Sequence, residues 1–323
     1  MFVLVAPGQG AQAPGFLRPW LDVPGAADRL TAWSDAIGLD LVHYGTDADA
    51  DEIRDTAVAQ PLLVAGSLLS ARALLGDTPY TGVTAGHSVG ELAAAAIAGV
   101  LSDEEAMTLV RKRGLAMAEA AAVTETGMSA VLGGDPEEVA AKLDALGLTP
   151  ANNNGGGQIV AAGTLEQLAA LAADKPAKAR VIPLKVAGAF HTEHMASAVA
   201  AMDEAARDVS VADPAPGIQY VSNADGEVVT SGKEIVRRLV AQVSSPVRWD
   251  LCTETFRRLE ATALVELCPG GTLAGLAKRN LKGVAQLAIK TPEQLPEARD
   301  LLAAAAGAAG TGSGASAAGA SSE

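Results

Sequence analysis

Aromatic residues make up only 3% of this 323-residue sequence. So few rings leave little for the base stacking on which single-stranded nucleic-acid binders depend. Basic side chains are scarce as well, since 24 lysines and arginines stand against 38 aspartates and glutamates, for a formal net charge of −14. Such an acidic chain is poorly suited to hold a polyanion over a wide face, so we expect no nucleic-acid partner.

Cysteine is nearly absent, and this argues against a disulfide-stabilised protein and against a cysteine-ligated metal site. Cys252 and Cys268 are too few for a disulfide framework, and no C-x-x-C spacing indicates a metal site. The first residues, 1–6, lack the basic segment of a signal peptide. The sequence also has no long apolar run free of glycine and polar residues, which a membrane span would need. We therefore expect a cytoplasmic protein with no bound metal and no membrane segment.

The apolar fraction, at 49%, is ample for a core built from alanine, valine and leucine. Short apolar runs alternate with helical patterns, which indicates an α/β fold. Residues 124–187 predict the order βαββαβ, a ferredoxin-like unit inserted into a larger α/β domain made of 1–123 and 188–306. The Gly/Ala/Ser-rich segment 307–323 cannot bury a core, and we predict that it is a disordered tail.

One segment predicts a nucleophile. Residues 86–90, GHSVG, fit the pattern G-x-S-x-G and lie between a predicted strand, 82–85, and a predicted helix, 91–98. The glycines allow a sharp turn around Ser88, where a Cβ on either side would collide with neighbouring backbone. At the start of a helix, free backbone amides, that of Val89 first, can stabilise an oxyanion. A purely structural turn is the alternative.

A serine nucleophile needs a base, and the sequence contains the histidines His43, His87, His191 and His194. His87 adjoins the serine, so we expect its side chain to point away in a packing or turn-stabilising role. His191 follows an apolar run that leaves a strand and enters a helix, and a loop there can reach the same edge of the sheet. We favour His191 as the base.

The helix predicted over 102–120 carries an arginine on its apolar face. Arg113 lies at the centre of the stripe formed by Ala106, Leu109, Val110 and Met117. A buried guanidinium does not lose its proton, so it needs an anionic partner. That partner is either an internal carboxylate or the carboxylate of a substrate, bound as a bidentate pair. Beside an acylating serine, the second alternative indicates a dicarboxylic half-thioester such as malonyl.

A glycine-rich segment near the start is open to two interpretations. Residues 8–13, GQGAQA, fit the looser dinucleotide-binding fingerprint, which requires a helix to begin inside it. The Pro-Gly pair at 14–15 follows at once and would break that helix. We interpret the segment as a loop that presents backbone amides and the Gln9 side chain to the active site.

Over residues 2–290, these segments together resemble the malonyl-CoA:acyl-carrier-protein transacylase family in its stand-alone bacterial form. The resemblance implies an α/β-hydrolase-like large domain with an inserted ferredoxin-like subdomain. It implies transfer of malonyl from malonyl-CoA, through a malonyl ester of Ser88, to the phosphopantetheine thiol of acyl carrier protein in fatty-acid or polyketide synthesis. No cofactor is implied, and a single compact catalytic unit makes a monomer our expectation.

The resemblance also implies roles for single residues. Ser88 is acylated, and His191, in the segment AFHT, is the base, which the backbone carbonyl of Gln242 orients. Gln9 and Val89 belong to the oxyanion hole.

Three further residues fall where the family binds the acyl group. By this resemblance, Arg113, with Met117 nearby, binds the malonyl carboxylate. Phe190 is similar to the residue found at this position in malonyl-selective members of the family. The segment 152–155, NNNG, matches a loop that walls the cleft, but glycines replace the commoner Ser-Pro-Gly there, and no contact is assigned to one asparagine. Carrier proteins are typically acidic, and local attraction could come from the cations Arg111, Lys112, Lys185, Lys278 and Arg279.

Two alternatives stay open. A serine thioesterase or esterase also uses G-x-S-x-G, but it predicts Ser, Asp and His in chain order and gives no reason for Arg113. A non-catalytic module that docks a carrier protein would not need Ser88, His191 and Arg113 together.

Overall fold

The structure is a computed structural model that describes residues 1–76, 78 and 80–312. Within them, the strands are β1 Phe2–Ala6, β2 Gly82–Gly86, β3 Thr126–Gly133, β4 Thr149–Gly155, β5 Gln158–Thr164, β6 Ala179–Pro183, β7 Ile218–Val221, β8 Val228–Val229, β9 Val247–Arg248, β10 Ala263–Glu266 and β11 Ala285–Ala288. The helices are α1 Ala26–Ile37, α2 Leu41–Thr46, α3 Thr56–Leu75, α4 Gly90–Ile97, α5 Asp103–Ala121, α6 Pro136–Ala145, α7 Leu165–Ala173, α8 Ala196–Ala206, α9 Gly232–Ala241, α10 Trp249–Arg258, α11 Thr272–Asn280 and α12 Leu295–Gly312.

The larger sheet has the strand order β11-β10-β1-β2-β7-β8, and all of its pairs are parallel except β7 with β8. Strands β1, β2 and β10 are buried along their whole length, as expected where helices cover both faces of a parallel sheet. Ala6 of β1 pairs with Gly86 of β2, and β7 lies on the other side of β2. The segments that follow β1, β2 and β7 therefore leave the sheet at one edge.

The smaller sheet has the order β6-β3-β5-β4-β9. From β3 to β6 the chain runs βαββαβ, so the predicted α/β fold with a ferredoxin-like unit is confirmed. Its outermost strand, β9, belongs to the larger part of the chain and pairs in parallel with β4, Asn152 opposite Val247 and Asn153 opposite Arg248. Main-chain hydrogen bonds thus join the small sheet to the large unit. The exact boundaries 124 and 187 stay a prediction.

Helices α3 and α5 pack closely in the core. A Cβ added to Gly114 of α5 would lie 3.0 Å from the carbonyl oxygen of Thr56, so this contact depends on the missing side chain. By length and composition α3 could cross a membrane, but 89% of its apolar window is buried inside the fold. The fold thus uses α3 as a core helix.

The end of the chain differs from the prediction of a disordered tail that begins at 307. Helix α12 runs through the alanines of 303–306 and continues to Gly312, although the glycines within 307–312 have low helix propensity. The rest of that tail, 313–323, lies outside the described residues.

The helix that carries Arg113 begins with a capping box formed by Ser102 and Glu105. Ser102 Oγ accepts from the Glu105 N–H at 3.1 Å, and the Glu105 carboxylate accepts from the Ser102 N–H at 2.7 Å. We expect Ser102→Ala to lower the free energy of unfolding by about 1 kcal/mol, because an orphaned backbone donor loses its acceptor. Urea unfolding followed by circular dichroism measures the change. Ser102→Asp keeps an acceptor and is the control, and equal losses in both variants would contradict a capping role.

Candidate active site

Ser88 lies on the sharp turn between β2 and α4, at the edge of the large sheet. Its φ is 54°, in the left-handed region that non-glycine residues rarely adopt. The flanking glycines make the turn possible. A Cβ at Gly86 would overlap the backbone of Gly90, and a Cβ at Gly90 would overlap the carbonyl of Ala6. The turn holds the serine hydroxyl above the sheet edge in a conformation fixed by its surroundings.

His191 lies next to this serine, with its Nε2 2.7 Å from Ser88 Oγ. On the other side of the ring, Nδ1 lies 2.8 Å from the backbone oxygen of Gln242. A carbonyl only accepts, so Nδ1 carries the proton and the Nε2 lone pair is left for the serine hydroxyl. Burial, and after it the charge of Arg113, lowers the pKa of His191 to about 3. The imidazole is therefore neutral at pH 7, and its Nε2 lone pair is available to the serine hydroxyl.

The partner of His191 Nδ1 separates this site from the serine-hydrolase alternative. That alternative expects an aspartate behind the base, whereas here the acceptor is the carbonyl of Gln242. His43 is exposed on α2, and His194 lies in a short 3-10 helix beyond the base. His87 turns away from the serine, with its Nε2 2.9 Å from Asn154 Oδ1 and its ring against Trp249.

Two backbone amides are available beside the nucleophile. Gln9 follows β1 and Val89 precedes α4, and both line the same cleft as Ser88. Within the described residues, neither N–H donates to another protein group, whereas the N–H of Ser88 donates to Asn223 Oδ1 at 2.8 Å. The Gln9 side chain donates to Thr56 Oγ1 at 3.2 Å. The amides of Gln9 and Val89 are thus free to bind an oxyanion.

Arg113 is 2% exposed, and its hydrogen-bond partners are neutral oxygens. Its guanidinium donates to Gln60 Oε1 at 2.7 Å, to Gln242 Oε1 at 2.9 Å and to Ser88 Oγ at 3.4 Å. Burial lowers the pKa of Arg113 to about 10, so the group remains charged at pH 7. A buried cation with only neutral direct partners, in contact with a nucleophile, is prepared to receive an anion.

The cleft over these groups has a volume of about 630 Å³ and is lined from both sheets. Met117 and Phe190, predicted to line the acyl pocket, are buried in its wall. The small sheet contributes Asn152 and Asn154, which belong to the predicted wall loop. The site residues predicted from the sequence are therefore all gathered around one cleft, together with Gln242 directly behind the base.

Sequence reasoning missed two residues that support this arrangement. Asn223 accepts from the Ser88 N–H and donates to the Gly86 carbonyl at 2.7 Å, so it braces both sides of the turn. It lies two residues after the end of β7, and its position beyond the carboxyl end of a third parallel strand was the available signal. Gln60, which binds Arg113, is a polar residue inside the apolar run of α3, and that exception was its signal.

Comparisons with known proteins agree with this geometry. The family model described as acyl transferase domain matches residues 3–311. A protein of Mycobacterium bovis named malonyl CoA-acyl carrier protein transacylase is 53% identical over 304 residues, which are 93% of this chain and 100% of that protein. The protein of the same name from Bacillus subtilis is 36% identical and covers 90% of this chain and 93% of its own length.

Solved structures give the same result. The crystal structure of MCAT from Mycobacterium tuberculosis has a TM-score of 0.89 and 52% identity, covering 93% of this chain and 99% of its own. A structure described as a type II PKS acyl-carrier protein in complex with its malonyl-transacylase has a TM-score of 0.86 at 30% identity, with coverage of 93% and 99%. On these matches the chain belongs to the acyl transferase domain family and, within it, to the malonyl CoA-acyl carrier protein transacylases.

Proposed function

We propose that the chain transfers malonyl from malonyl-CoA to the phosphopantetheine thiol of acyl carrier protein, through a malonyl ester on Ser88. The observation that carries the proposal is the pairing of a neutral imidazole, 2.7 Å from Ser88 Oγ, with a buried guanidinium 3.4 Å from the same oxygen. The first group activates the nucleophile, and the second selects an acyl group that ends in a carboxylate. The membership in the transacylase family supports both assignments.

The reaction begins with deprotonation of Ser88. His191 Nε2 takes the hydroxyl proton while Ser88 Oγ attacks the thioester carbonyl. The Nδ1–H of His191 stays bonded to the carbonyl of Gln242, which keeps the ring in the required tautomer. The amides of Gln9 and Val89 hold the oxyanion, and its collapse expels the CoA thiolate, which His191 protonates. The carrier-protein thiol then enters, and the same steps run in reverse.

Arg113 affects the chemistry as well as binding. Its charge is one of the causes that lower the pKa of His191. A malonyl carboxylate bound to Arg113 neutralises that charge, so the basicity of His191 rises when the correct acyl group is in place. An acetyl group cannot do this. Discrimination between the two should therefore appear in the rate of acylation as well as in affinity.

The proposed steps need no cofactor, because each change of charge is met by a named protein group. Exchange of one thioester for another is close to thermoneutral, so the site must keep water from the acyl-enzyme rather than drive the reaction. Burial of His191 and Arg113 in the wall of the cleft suits that requirement. We propose the cytoplasm as the compartment, which the two free, buried cysteines support.

The carrier protein would approach the cleft past exposed cations. Lys278 and Arg279, on α11, line the cleft and are exposed, and Lys185 is exposed at the end of the small subdomain. These charges can attract an acidic carrier protein locally although the chain as a whole is acidic. We propose that fatty-acid synthesis, polyketide synthesis or both use this activity, with the chain acting as a monomer.

The covalent intermediate is tested by Ser88→Ala. We expect the variant to lose turnover by a factor on the order of 10⁶, because no other group takes the acyl chain. Intact-protein mass spectrometry after brief mixing with malonyl-CoA measures the adduct on the wild type, and a carrier-protein chase should discharge it. Substantial transfer by the variant would rule out the covalent route. Free malonate accumulating without an adduct would favour the thioesterase.

The role of Arg113 is tested by Arg113→Ala. We expect malonyl transfer to weaken by about 2–3 kcal/mol, near a hundredfold, because a charged hydrogen-bond partner of the substrate is lost. Acetyl transfer should be less affected, so the ratio of malonyl to acetyl loading falls. Initial rates of loading with both thioesters give that ratio, and equal losses would make the arginine structural.

A further inference from the structure

A buried carboxylate lies beneath the site, and the steps described so far do not use it. Glu91, on the first turn of α4, is 1% exposed. Its Oε1 accepts from the Tyr220 hydroxyl at 3.1 Å and from the Asn223 N–H at 2.8 Å. Its Oε2 accepts from the Nε2 of Gln242. Three donors converge on this carboxylate and favour its charged form, which opposes the effect of burial on its pKa.

The Gln242 side chain connects this carboxylate to Arg113. Its Nε2 donates to Glu91 and, at 3.2 Å, to the backbone oxygen of Ser88, while its Oε1 accepts from Arg113 at 2.9 Å. An ionised carboxylate only accepts and a guanidinium only donates. The Gln242 amide can bind both groups in one orientation only, with its NH₂ toward Glu91 and its oxygen toward Arg113. The reverse orientation would set NH₂ against the guanidinium and oxygen against two acceptors.

We propose that Glu91 is a positioning residue that, through the side-chain amide of Gln242, fixes the orientation of Arg113 toward the carboxylate of the substrate. Gln242 then acts at two points, with its backbone carbonyl on His191 and its side chain on Arg113. The inference rests on the proposed malonyl transfer and deepens it, because it assigns substrate selection to a group that never touches the substrate.

The substitution Glu91→Gln tests the proposal because it keeps shape and volume. Its oxygen can still accept from Tyr220 and Asn223, but its NH₂ then faces Gln242 and forces that amide to turn its own NH₂ toward Arg113. We expect malonyl loading, as kcat/KM, to fall about tenfold and acetyl loading to change less than about threefold. The assays are run at pH 8.5, because burial raises the pKa of Glu91 to about 7.

A double-mutant cycle with Arg113→Ala asks whether the effect passes through the arginine. In that background, Glu91→Gln should change malonyl loading less than about twofold, because the group it positions is gone. If the losses of the two single variants multiply in the double variant, the proposal is overturned. Equal losses of malonyl and acetyl loading in Glu91→Gln alone would overturn it as well. Should Glu91→Gln not fold, Gln242→Met breaks the same connection while its backbone carbonyl remains, and the same malonyl-selective loss is expected.

Glu266→Gln is the matched control for neutralising a buried glutamate. Glu266 is fully buried and accepts from the backbone N–H groups of Gly271, Leu273 and Ala274, without contact to Gln242 or Arg113. Its ratio of malonyl to acetyl loading should equal that of the wild type, and a shift as large as that of Glu91→Gln would refute the assignment. Failure of the wild type to form a malonyl adduct would instead refute the proposed transfer, and it is seen before any variant is compared.

Discussion

Parallel main-chain pairing of β1, β2 and β7 brings the active-site segments together. Because the carboxyl ends of parallel strands meet at one edge, the loop of Gln9, the turn of Ser88 and the segment of Asn223 emerge side by side. The distances within the site follow from this edge. Asn223 can brace the turn on both sides, and the amides of Gln9 and Val89 can face the same point, without any long or flexible connection. The positions of the Ser88 turn and of the loop that carries Gln9 are therefore set mainly by backbone hydrogen bonds between these strands.

Much of this arrangement could be predicted from local sequence signals. The elbow around Ser88 was visible as a five-residue motif between a strand and a helix, and Arg113 interrupts an apolar stripe of a single helix. The histidine beside Ser88 was harder to predict, since the sequence contains four histidines and only the fold brings His191 to the serine. Gln60 and Asn223 were missed because their partners lie 53 and 135 residues away. Helix α1 was also missed, although its buried residues Ala26, Leu30, Trp33 and Ile37 recur at helical spacing.

The charges of the site are balanced through intermediaries. Arg113 and Glu91 are both buried, yet the amide of Gln242 separates them, so neither is fully paired with the other. A direct ion pair would have to be broken before a substrate carboxylate could bind, and breaking buried pairs is costly. The neutral amide lets the site remain satisfied without substrate and still leaves the guanidinium able to form stronger bonds. Stability of the free enzyme and affinity for an anion are reconciled in this way.

The pairing of β4 with β9 has a mechanical consequence for the cleft. Strand β9 begins three residues after the 3-10 turn Gln242–Ser244, whose first residue supplies the carbonyl behind His191. The same strand pairs with β4 of the small sheet. The small sheet therefore cannot swing away as an independent lid without breaking this ladder and pulling on the segment that orients His191. The width of the cleft and the placement of His191 are therefore linked through one short stretch of main chain, from Gln242 to Arg248.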